Sequence, residues 1–344
     1  MFRGFRCAPA YNRVMPAPPP FPVQPDSTCA PIGVVVVSHN SAEDLPVCLA
    51  ALGAADGVER VVVVDNASHD ASREIVRAVE DPRINLVEEE INCGFAGGCN
   101  RGFAELGENY EIVAFLNPDV EVEVECLSLC AAALIADPGL AGVAPLLMRP
   151  DGRMVDTVGQ ILKGFTLEVS DRGYSAQPTP ELMQTRSVLA ACGALAVFRR
   201  SALESVAEDH GPWAQHFFCF WEDLELGWRL VNRGWRIHTV PEAVAIHRRG
   251  GGAAAGRGHL RWRRPPELEA CILTNRWMTL IRHLHPLDLA PRLPVLLSWD
   301  SALVAAGAVR RPELAGHIRR RWPLVVNEWR DRRRYPRRRL HELS

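Results

Sequence analysis

Four runs of β-branched and other apolar residues dominate the first half of the chain, and stretches with helical spacing separate them. The apolar runs cover residues 32–38, 60–65, 112–116 and 140–147. The stretches with helical spacing cover residues 42–54, 70–79, 97–106 and 124–136. Continuous Val and Ile runs are typical of parallel strands that are buried on both faces. This alternation predicts an α/β fold with a mostly parallel open sheet flanked by helices.

The pattern is less regular after about residue 150. It predicts a hairpin or long loop over 155–169, a buried strand over 187–198, a short helix over 222–233 and a strand over 235–240. From about residue 267 onward the spacing favours helices, which form a C-terminal helical extension. The most apolar stretch there, 293–309, is interrupted by Asp300, so we expect no transmembrane helix.

Composition and charge limit the classes of protein that the chain can belong to and indicate its cellular compartment. The formal net charge of −2 over 344 residues argues against a general nucleic-acid binder. The ten cysteines are scattered without a C-x-x-C pair, which favours reduced thiols in the cytosol. Residues 1–31 are rich in proline and lack the apolar core of a signal peptide, so we expect a disordered leader. We therefore expect a leader at 1–31, an α/β domain at 32–265 and a helical extension with a basic tail at 266–344.

Polar side chains follow three of the predicted strands, where ligands bind in open parallel sheets. His39 and Asn40 follow the first strand, Asp65 follows the second, and Asn117 and Asp119 follow the third. A carboxylate at position 65 can accept hydrogen bonds from a nucleobase or ribose, and one at position 119 can bind a hard cation. Each position equally fits an ordinary turn when it is taken alone.

The segment 92–102 is rich in glycine and asparagine and opens a predicted helix. Asn92, Gly94, Gly97 and Asn100 lie within it. Glycine allows a close approach of backbone to ligand, and a helix N-terminus favours anionic groups. The glycine spacing matches neither the dinucleotide-binding fingerprint nor a phosphate-binding Walker loop. We interpret the segment as a nucleotide contact, with a tight connection as the alternative.

The strongest chemical signal lies in the segment 217–229, where acidic residues follow an aromatic cluster at the start of a helix. Asp223 and Glu222 stand directly after Trp221. An apolar surrounding raises the pKa of a carboxylate toward that of a useful general base, whereas helix capping is the simpler explanation of acids at this place. His247 follows a strand-like stretch and precedes a glycine loop, so it fits either a metal ligand or a surface histidine.

Taken in order, VVVSHN, VVVDNAS, NCGFAGGCNRG, FLNPDV, FFCFWEDLELGWRL and AIHRRGG resemble the family 2 glycosyltransferases of the GT-A fold, especially their bacterial rhamnosyltransferase-like branch. The resemblance covers roughly 32–286. It implies that Asp223 is the general base, that Glu222 orients the acceptor, and that Asp119 and His247 bind the metal. It also implies a set of nucleotide-binding residues. These are His39, Asn40, Asp65, Asn92, Gly94, Gly97, Asn100 and Asn117.

The resemblance further implies the reaction. An inverting enzyme of this kind moves a sugar from a nucleotide-diphosphate donor, most readily dTDP-rhamnose, to a hydroxyl of a cell-surface or lipid-linked glycan, with Mg²⁺ or Mn²⁺ on the diphosphate. UDP-hexoses and galactofuranose donors remain alternatives, as does a non-catalytic nucleotide-sugar-binding protein of the same fold. Glu225 stands where the family usually carries Asp, and His39 where it often carries Tyr.

The C-terminal helices carry tryptophans and end in a run of arginines, including 332–334 and 337–339. Such a segment fits peripheral contact with an anionic membrane, which agrees with a cytoplasmic enzyme at the inner face of the cell membrane. It fits equally well a helical subdomain that packs on the core with a solvated basic end. Both interpretations remain open from the sequence.

Overall fold

The computed structural model describes residues 30–249 and 264–343. The predicted leader lies almost wholly outside these residues, and so does the glycine loop at 250–252 that follows His247. The predicted division at 265/266 stays a prediction.

The strands of the described residues match the predicted apolar runs closely in the first half of the chain. The strands are β1 (Ile32–Ser38), β2 (Val58–Asn66), β3 (Ile84–Glu89), β4 (Ile112–Leu116), β5 (Val120–Val122), β6 (Leu140–Met148), β7 (Val155–Thr157), β8 (Gln160–Lys163), β9 (Glu168–Asp171), β10 (Leu195–Arg199) and β11 (Arg236–His247). Of the hairpin or long loop predicted over 155–169, the hairpin is present, formed by β8 and β9, and the short strand β7 precedes it.

The helices alternate with the strands up to β6 and then dominate the C-terminal part. They are α1 (Leu45–Ala54), α2 (Ser72–Arg77), α3 (Gly94–Leu106), α4 (Cys126–Ala136), α5 (Arg200–Ser205), α6 (Glu222–Asn232), α7 (Pro266–His283), α8 (Pro286–Arg310) and α9 (Glu313–Asp331). Short 3₁₀ helices occur at Gln215–Phe217, Arg332–Arg334 and Leu340–Glu342. The predicted C-terminal helical region is present.

The large sheet has the strand order β3-β2-β1-β4-β10-β6-β11-β5, and β7 pairs with β6. Strands β3, β2, β1 and β4 are parallel, as predicted. Strand β10 lies between β4 and β6 and runs antiparallel to both, so the sheet is mixed. The strand predicted over 187–198 is confined to β10, because the residues before it turn across the sheet edge and make isolated bridges at Ser187 and Ala190.

The core explains why the helix with the glycine-rich start lies so close to the sheet. Valines 34–37 of β1 are buried. A Cβ atom at Gly98 would lie 2.5 Å from Val37 Cγ1, and one at Gly102 would lie 2.2 Å from Val35 Cγ1. Helix α3 therefore packs directly on β1, and this packing fixes its N-terminus at the edge where β1 and β4 end.

Helix α8 bears on the expectation that the chain has no transmembrane helix, which stays a prediction. It has 25 residues and is long and apolar enough, by length and composition, to cross a membrane. The helix extends beyond the apolar stretch 293–309, begins at Pro286 and contains Pro291 and Pro294. The argument that Asp300 interrupts the apolar stretch therefore does not exclude a membrane span. Only 11% of its most apolar window is buried in the protein.

Candidate active site

The candidate site is a cleft of about 590 Å³ at the edge of the sheet where β4 ends and β10 begins. Asn117, at the end of β4, donates its backbone N–H to the carbonyl of Ala194 at 2.9 Å, so the two strand ends lie side by side. The cleft is lined by Asn117, Asp223 and His247 among others. Three of the predicted site residues, widely separated in the sequence, therefore face one space.

Asp223 is held by donors from three parts of the chain. Its Oδ2 accepts a hydrogen bond from Nε2 of Gln160 at 2.8 Å and from the backbone N–H of Gly193 at 2.9 Å. Its Oδ1 accepts from the backbone N–H of Leu224 at 2.8 Å. Burial raises the pKa of Asp223, and these hydrogen bonds only partly oppose the rise. The arrangement fixes the carboxylate in the cleft and brings its pKa nearer to that of a working base.

Of the three further carboxyl groups that line the cleft in the described part of the chain, those of Glu168, Asp171 and Glu222, two have raised pKa values. Glu222 is buried, and its Oε2 has no hydrogen-bond partner within the described residues. Burial, first, and the neighbouring Asp223 raise the pKa of Glu222 well above its usual range. Burial also raises the pKa of Asp171, on β9, to about 6. Sequence analysis singled out Glu222 but not Asp171.

The backbone before Glu222 is strained, and hydrogen bonds from a residue of the C-terminal helices hold it in place. Phe218, Phe220 and Trp221 have φ values of 67°, 67° and 70°, a left-handed conformation that is rare for residues other than glycine. Nδ2 of Asn275, on α7, lies 2.8 Å, 2.9 Å and 2.7 Å from the carbonyl oxygens of Phe217, Cys219 and Phe220. The amide thus holds the turn that presents Glu222 and Asp223 to the cleft.

Arg321, on α9, supports this amide. Its Nη2 donates to Oδ1 of Asn275 at 2.6 Å and to the carbonyl of His216 at 3.2 Å. The C-terminal extension therefore takes part in building the site, because two of its helices hold the strained turn in place.

Glu225, the departure from the family pattern, belongs to a buried charge network rather than to the cleft. Its carboxylate accepts from Arg229 Nη2 at 2.9 Å and Arg282 Nη1 at 2.8 Å, and lies 2.9 Å from His283 Nε2. Burial opposes ionisation, but these partners hold the pKa of Glu225 well below its usual range. The network ties α6 to α7, so residue 225 has a structural role in this chain.

Asp119 and His247 meet because β5 pairs with the end of β11. His247 pairs with Val120, the residue after Asp119, and its Nε2 lies 3.4 Å from Oδ2 of Asp119. Its Nδ1 lies 2.8 Å from Oδ2 of Asp156, a buried residue of β7. Burial disfavours the imidazolium, but the hydrogen bonds to Asp119 and Asp156 raise the pKa of His247 to about 9.

The donor set fits a divalent cation. An imidazole nitrogen of His247, which lines the cleft, faces a carboxylate oxygen of Asp119, which is not among the lining residues. Asp156 orients the imidazole through its second nitrogen, as carboxylates do for metal-binding histidines. Across residues 30–249 and 264–343, no group of three or more His, Cys, Asp or Glu side chains is arranged to hold a metal ion. Two protein ligands suffice for Mg²⁺ when substrate phosphates and water complete the shell.

The ends of β1 and β2 form a second polar region on the same sheet edge, outside the residues that line the cleft. Asp65 is buried and pairs with Arg73 at 2.5 Å, while its Oδ1 has no hydrogen-bond partner among the described residues. His39 Nδ1 lies 2.8 Å from the carbonyl of Asn66, and Oδ1 of Asn40 accepts from the backbone N–H of His69 at 2.8 Å. His39 and Asn40 thus hold the loop after β2 in place. Separately, Oδ1 of Asp65 is an acceptor that a ligand could use.

The glycine-rich segment is shaped mainly by contacts within the protein. Oδ1 of Asn92 accepts from the backbone N–H of Gly94 at 2.8 Å, and Gly94 has a φ of 74°. A Cβ atom on Gly94 would lie 2.3 Å from the carbonyl oxygen of Phe218, so this glycine permits the strained turn to approach. A Cβ atom on Gly97 would lie 2.6 Å from Cβ of Cys93.

Asn100 is placed differently from its neighbours. Its Oδ1 accepts from the backbone N–H of Trp213 at 2.9 Å, and its Nδ2 donates to the carbonyl of Trp213 at 2.8 Å. Both groups of the buried amide are used within the protein, which gives Asn100 a structural role. Its predicted contact with a nucleotide is left without support.

Several residues that build the site carried no signal in the sequence. Gln160, Asp156, Asn275 and Arg321 stand in segments without a recognisable motif, and each acts on a group far away in the chain. Asp156 and His247, for example, are 91 positions apart. The one available signal was the polarity of Asn275 among the apolar residues of its helix.

Comparison with known proteins places the chain among enzymes that transfer sugars. The family model described as Glycosyl transferase family 2 matches residues 33–207, just over half of the chain. The N-acetylglucosaminyl-diphospho-decaprenol L-rhamnosyltransferase of Mycobacterium tuberculosis is 28% identical over 237 residues, which cover 62% of this chain and 75% of the relative.

Two solved structures share the architecture. A GalNAc-T7 structure with UDP, GalNAc and Mn²⁺ superposes with a TM-score of 0.58 at 14% identity, over 76% of this chain and 49% of that one. Residues 1–349 of TarS from S. aureus superpose with a TM-score of 0.50 at 16% identity, over 88% of this chain and 80% of that one. At these identities the likeness concerns the fold alone.

Proposed function

The chain belongs to glycosyltransferase family 2, and we propose that it is an inverting enzyme that moves a sugar from a nucleotide-diphosphate donor to a hydroxyl of a glycan acceptor, with Asp223 as the general base. Its fold is the GT-A fold that the sequence predicts, with a mixed sheet, flanking helices and a helical C-terminal region.

The placement of Asp223 carries this proposal. Gln160 and the N–H groups of Gly193 and Leu224 fix its carboxylate in the cleft, and burial raises its pKa. A base so placed takes the proton from the acceptor hydroxyl as that oxygen attacks the anomeric carbon opposite the departing diphosphate. One displacement inverts the anomeric configuration without a covalent enzyme intermediate. Glu222 is the neighbour of Asp223 in sequence and lines the same cleft, where it would help to orient the acceptor.

A second group of residues, centred on His247, suits the diphosphate leaving group. Asp119 and His247 would hold a divalent cation, with Asp156 orienting the imidazole. Such a cation, when bound, stabilises the charge that develops on the diphosphate. The structure with GalNAc-T7 contains Mn²⁺ and UDP, which agrees with a divalent cation and a nucleotide donor for this fold. The nucleoside lies, in this proposal, along Asp65, Asn40 and the segment that begins at Asn92.

The name of the mycobacterial relative suggests which sugar donor and which acceptor to propose. Its name describes an L-rhamnosyltransferase that acts on N-acetylglucosaminyl-diphospho-decaprenol. We therefore propose a rhamnosyl donor, dTDP-rhamnose as the sequence resemblance implies, and a lipid-linked glycan acceptor. An acceptor of that kind places the enzyme on the cytoplasmic side of the cell membrane, where nucleotide sugars are supplied.

The test is the variant Asp223→Asn. It keeps the shape of the side chain but removes the base, so we expect metal-dependent release of the nucleoside diphosphate in the presence of acceptor to fall by about a thousandfold or more. Titration calorimetry should show donor binding within about threefold of the unchanged protein, since the donor contacts lie elsewhere. Asp56→Asn, an exposed position before β2 at the opposite sheet edge, is the matched control. Near-normal turnover of Asp223→Asn would refute the assignment.

A further inference from the structure

Helix α8 turns the carboxylate at its centre toward the protein and a row of large apolar side chains toward solvent, whereas an ordinary surface helix exposes mainly polar residues. Between 293 and 309 the only charged residue is Asp300. Its Oδ1 accepts from Nε of Arg276 and its Oδ2 from Nε1 of Trp277, both at 3.1 Å, so the carboxylate faces α7. The inner side of α8 thus holds Asp300 on α7 and packs Leu296, Leu303 and Val304 against the protein.

The outward face of α8 is apolar along its length. Leu297 and Val309 are 60% and 85% exposed, and further large apolar side chains accompany them. These are Leu293, Val295 and Trp299. The other exposed residues between 293 and 309 are proline, serine and alanine. An uncharged face about 24 Å long on the outside of the protein exceeds the scattered apolar residues of ordinary surfaces and indicates a partner.

The neighbouring helix α9 adds aromatic and basic side chains. Trp322 and Trp329 are about half exposed. The ring of Trp322 lies 6.1 Å from that of Trp277, which holds Asp300, so α9 borders α8 at this point. Arg319, Arg320 and Arg330 of α9 are exposed, and the exposed Arg333 and Arg334 follow its end. Tryptophan and arginine beside an apolar face match the boundary between the hydrocarbon and the headgroups of a bilayer.

We propose that the outward face of α8 inserts into the interfacial layer of an anionic lipid bilayer, while arginines of α9 contact the headgroup phosphates. A second copy of the chain fits the surface less well, because a two-fold interface would bring the arginine-rich flank against itself. A spanning helix also fits less well, because the ion pair of Asp300 with Arg276 and the buried Leu296 keep one side of α8 on the protein.

The terminal arginines, in contrast, pack inward. Nε of Arg337 donates to the carbonyl of Arg282 at 2.8 Å, and Nε of Arg339 donates to Oδ1 of Asp288 at 3.0 Å. The membrane contact is therefore assigned to α8 and α9 and not to a solvated basic tail. The inference deepens the proposed function by naming the surface that meets the acceptor's membrane, but its test measures binding to lipid and needs no donor.

The experiment is cosedimentation of the full chain with vesicles of phosphatidylcholine, with and without phosphatidylglycerol, at low and high salt. We expect the protein to pellet with the anionic vesicles and the double variant Leu297→Glu/Trp299→Glu to bind at least about tenfold more weakly. Ile135→Glu, at a similarly exposed apolar position on α4, should bind like the unchanged protein. Arg319→Gln/Arg320→Gln should weaken binding at low salt and much less at high salt.

Three results would overturn the proposal. The first is an unchanged protein that does not pellet with either vesicle, and the second is a Leu297→Glu/Trp299→Glu variant that pellets as well as the unchanged protein. The third is a lipid-free dimer in sedimentation velocity that this variant converts to monomer, which would assign the face to a second copy. Thermal unfolding and nucleotide binding check that the variant is folded. Asp223→Asn should still pellet, which separates this test from that of the proposed function.

Discussion

Replacing Asn275 by Ala should disable the active site from a helix that does not touch the reacting groups. The two amide hydrogens of Asn275 are shared among the carbonyl oxygens of Phe217, Cys219 and Phe220. Those hydrogen bonds hold a segment in which three residues have left-handed φ values. Each such residue costs about 1–2 kcal/mol relative to the right-handed conformation, so the turn persists only while its surroundings hold it.

The magnitude follows from these contacts. Asn275 is fully buried. Asn275→Ala removes the two amide hydrogens, and each hydrogen bond lost leaves a buried carbonyl oxygen unsatisfied at a cost of about 1–3 kcal/mol. Arg321 also loses its acceptor on Asn275 but keeps the carbonyl of His216. We expect the free energy of unfolding to fall by about 3 kcal/mol. Relaxation of the turn moves Glu222 and Asp223, and displacement of about 1 Å in a catalytic group costs about a hundredfold in kcat.

The assays are urea unfolding and diphosphate release under saturating donor. Thr279→Val is the matched control, because Thr279 is also buried on α7, one turn further on, and its hydroxyl bonds only to the helix carbonyl of Asn275 at 2.9 Å. It should lose less than about 1 kcal/mol and retain activity. Normal kcat in a folded Asn275→Ala protein would refute the claim that this amide positions the catalytic turn.

Two further predictions concern the other buried acids. Asp156→Asn should raise the metal concentration for half-maximal activity by about 10–100-fold, because His247 loses the carboxylate that orients its ring, and an unchanged metal dependence would contradict that role. For Glu328, burial opposes ionisation, but hydrogen bonds from His216 and Arg282 lower the pKa to about 2 from 4.5. Its contribution to stability is complete above pH 4.5 and is lost as the pH falls toward 2, which amounts to about 3 kcal/mol. Urea unfolding between neutral and acid pH should show this loss, and Glu328→Gln should lack that part of it.

The first half of the fold could be predicted from the sequence because its signals are local. The apolar runs at β1 and β4 coincide with the observed strands to the residue, since an uninterrupted run of Val and Ile is buried on both faces wherever the sheet places it. Strand β10 was mispredicted because its direction is set by its neighbours. No local pattern shows that a strand inserts antiparallel between two parallel ones.

The site residues could likewise be predicted one by one from local patterns, whereas their arrangement in space could not. The acids at 119 and 223 were identified as candidates because each stands at the end or start of an element with a strong local pattern. Their convergence depends on pairings between distant segments, such as β5 with β11. Asn100 shows the limit of motif analysis. It belongs to the glycine-rich segment, and yet both its amide oxygen and its amide nitrogen are hydrogen-bonded to the backbone of Trp213.

The sequence by itself determined the element types of the α/β region, the family and the order of its chemical motifs, because these depend on residues close together in the chain. The tertiary structure alone decided that Asp156 orients His247, that Asn275 holds the turn before Asp223, and that α8 turns its apolar side outward. Hydrophobic periodicity defines a face on a helix but not what covers it. Here the ion pair between Asp300 and Arg276 and the buried Leu296 hold one side of α8 on the protein, and a second apolar face is left exposed.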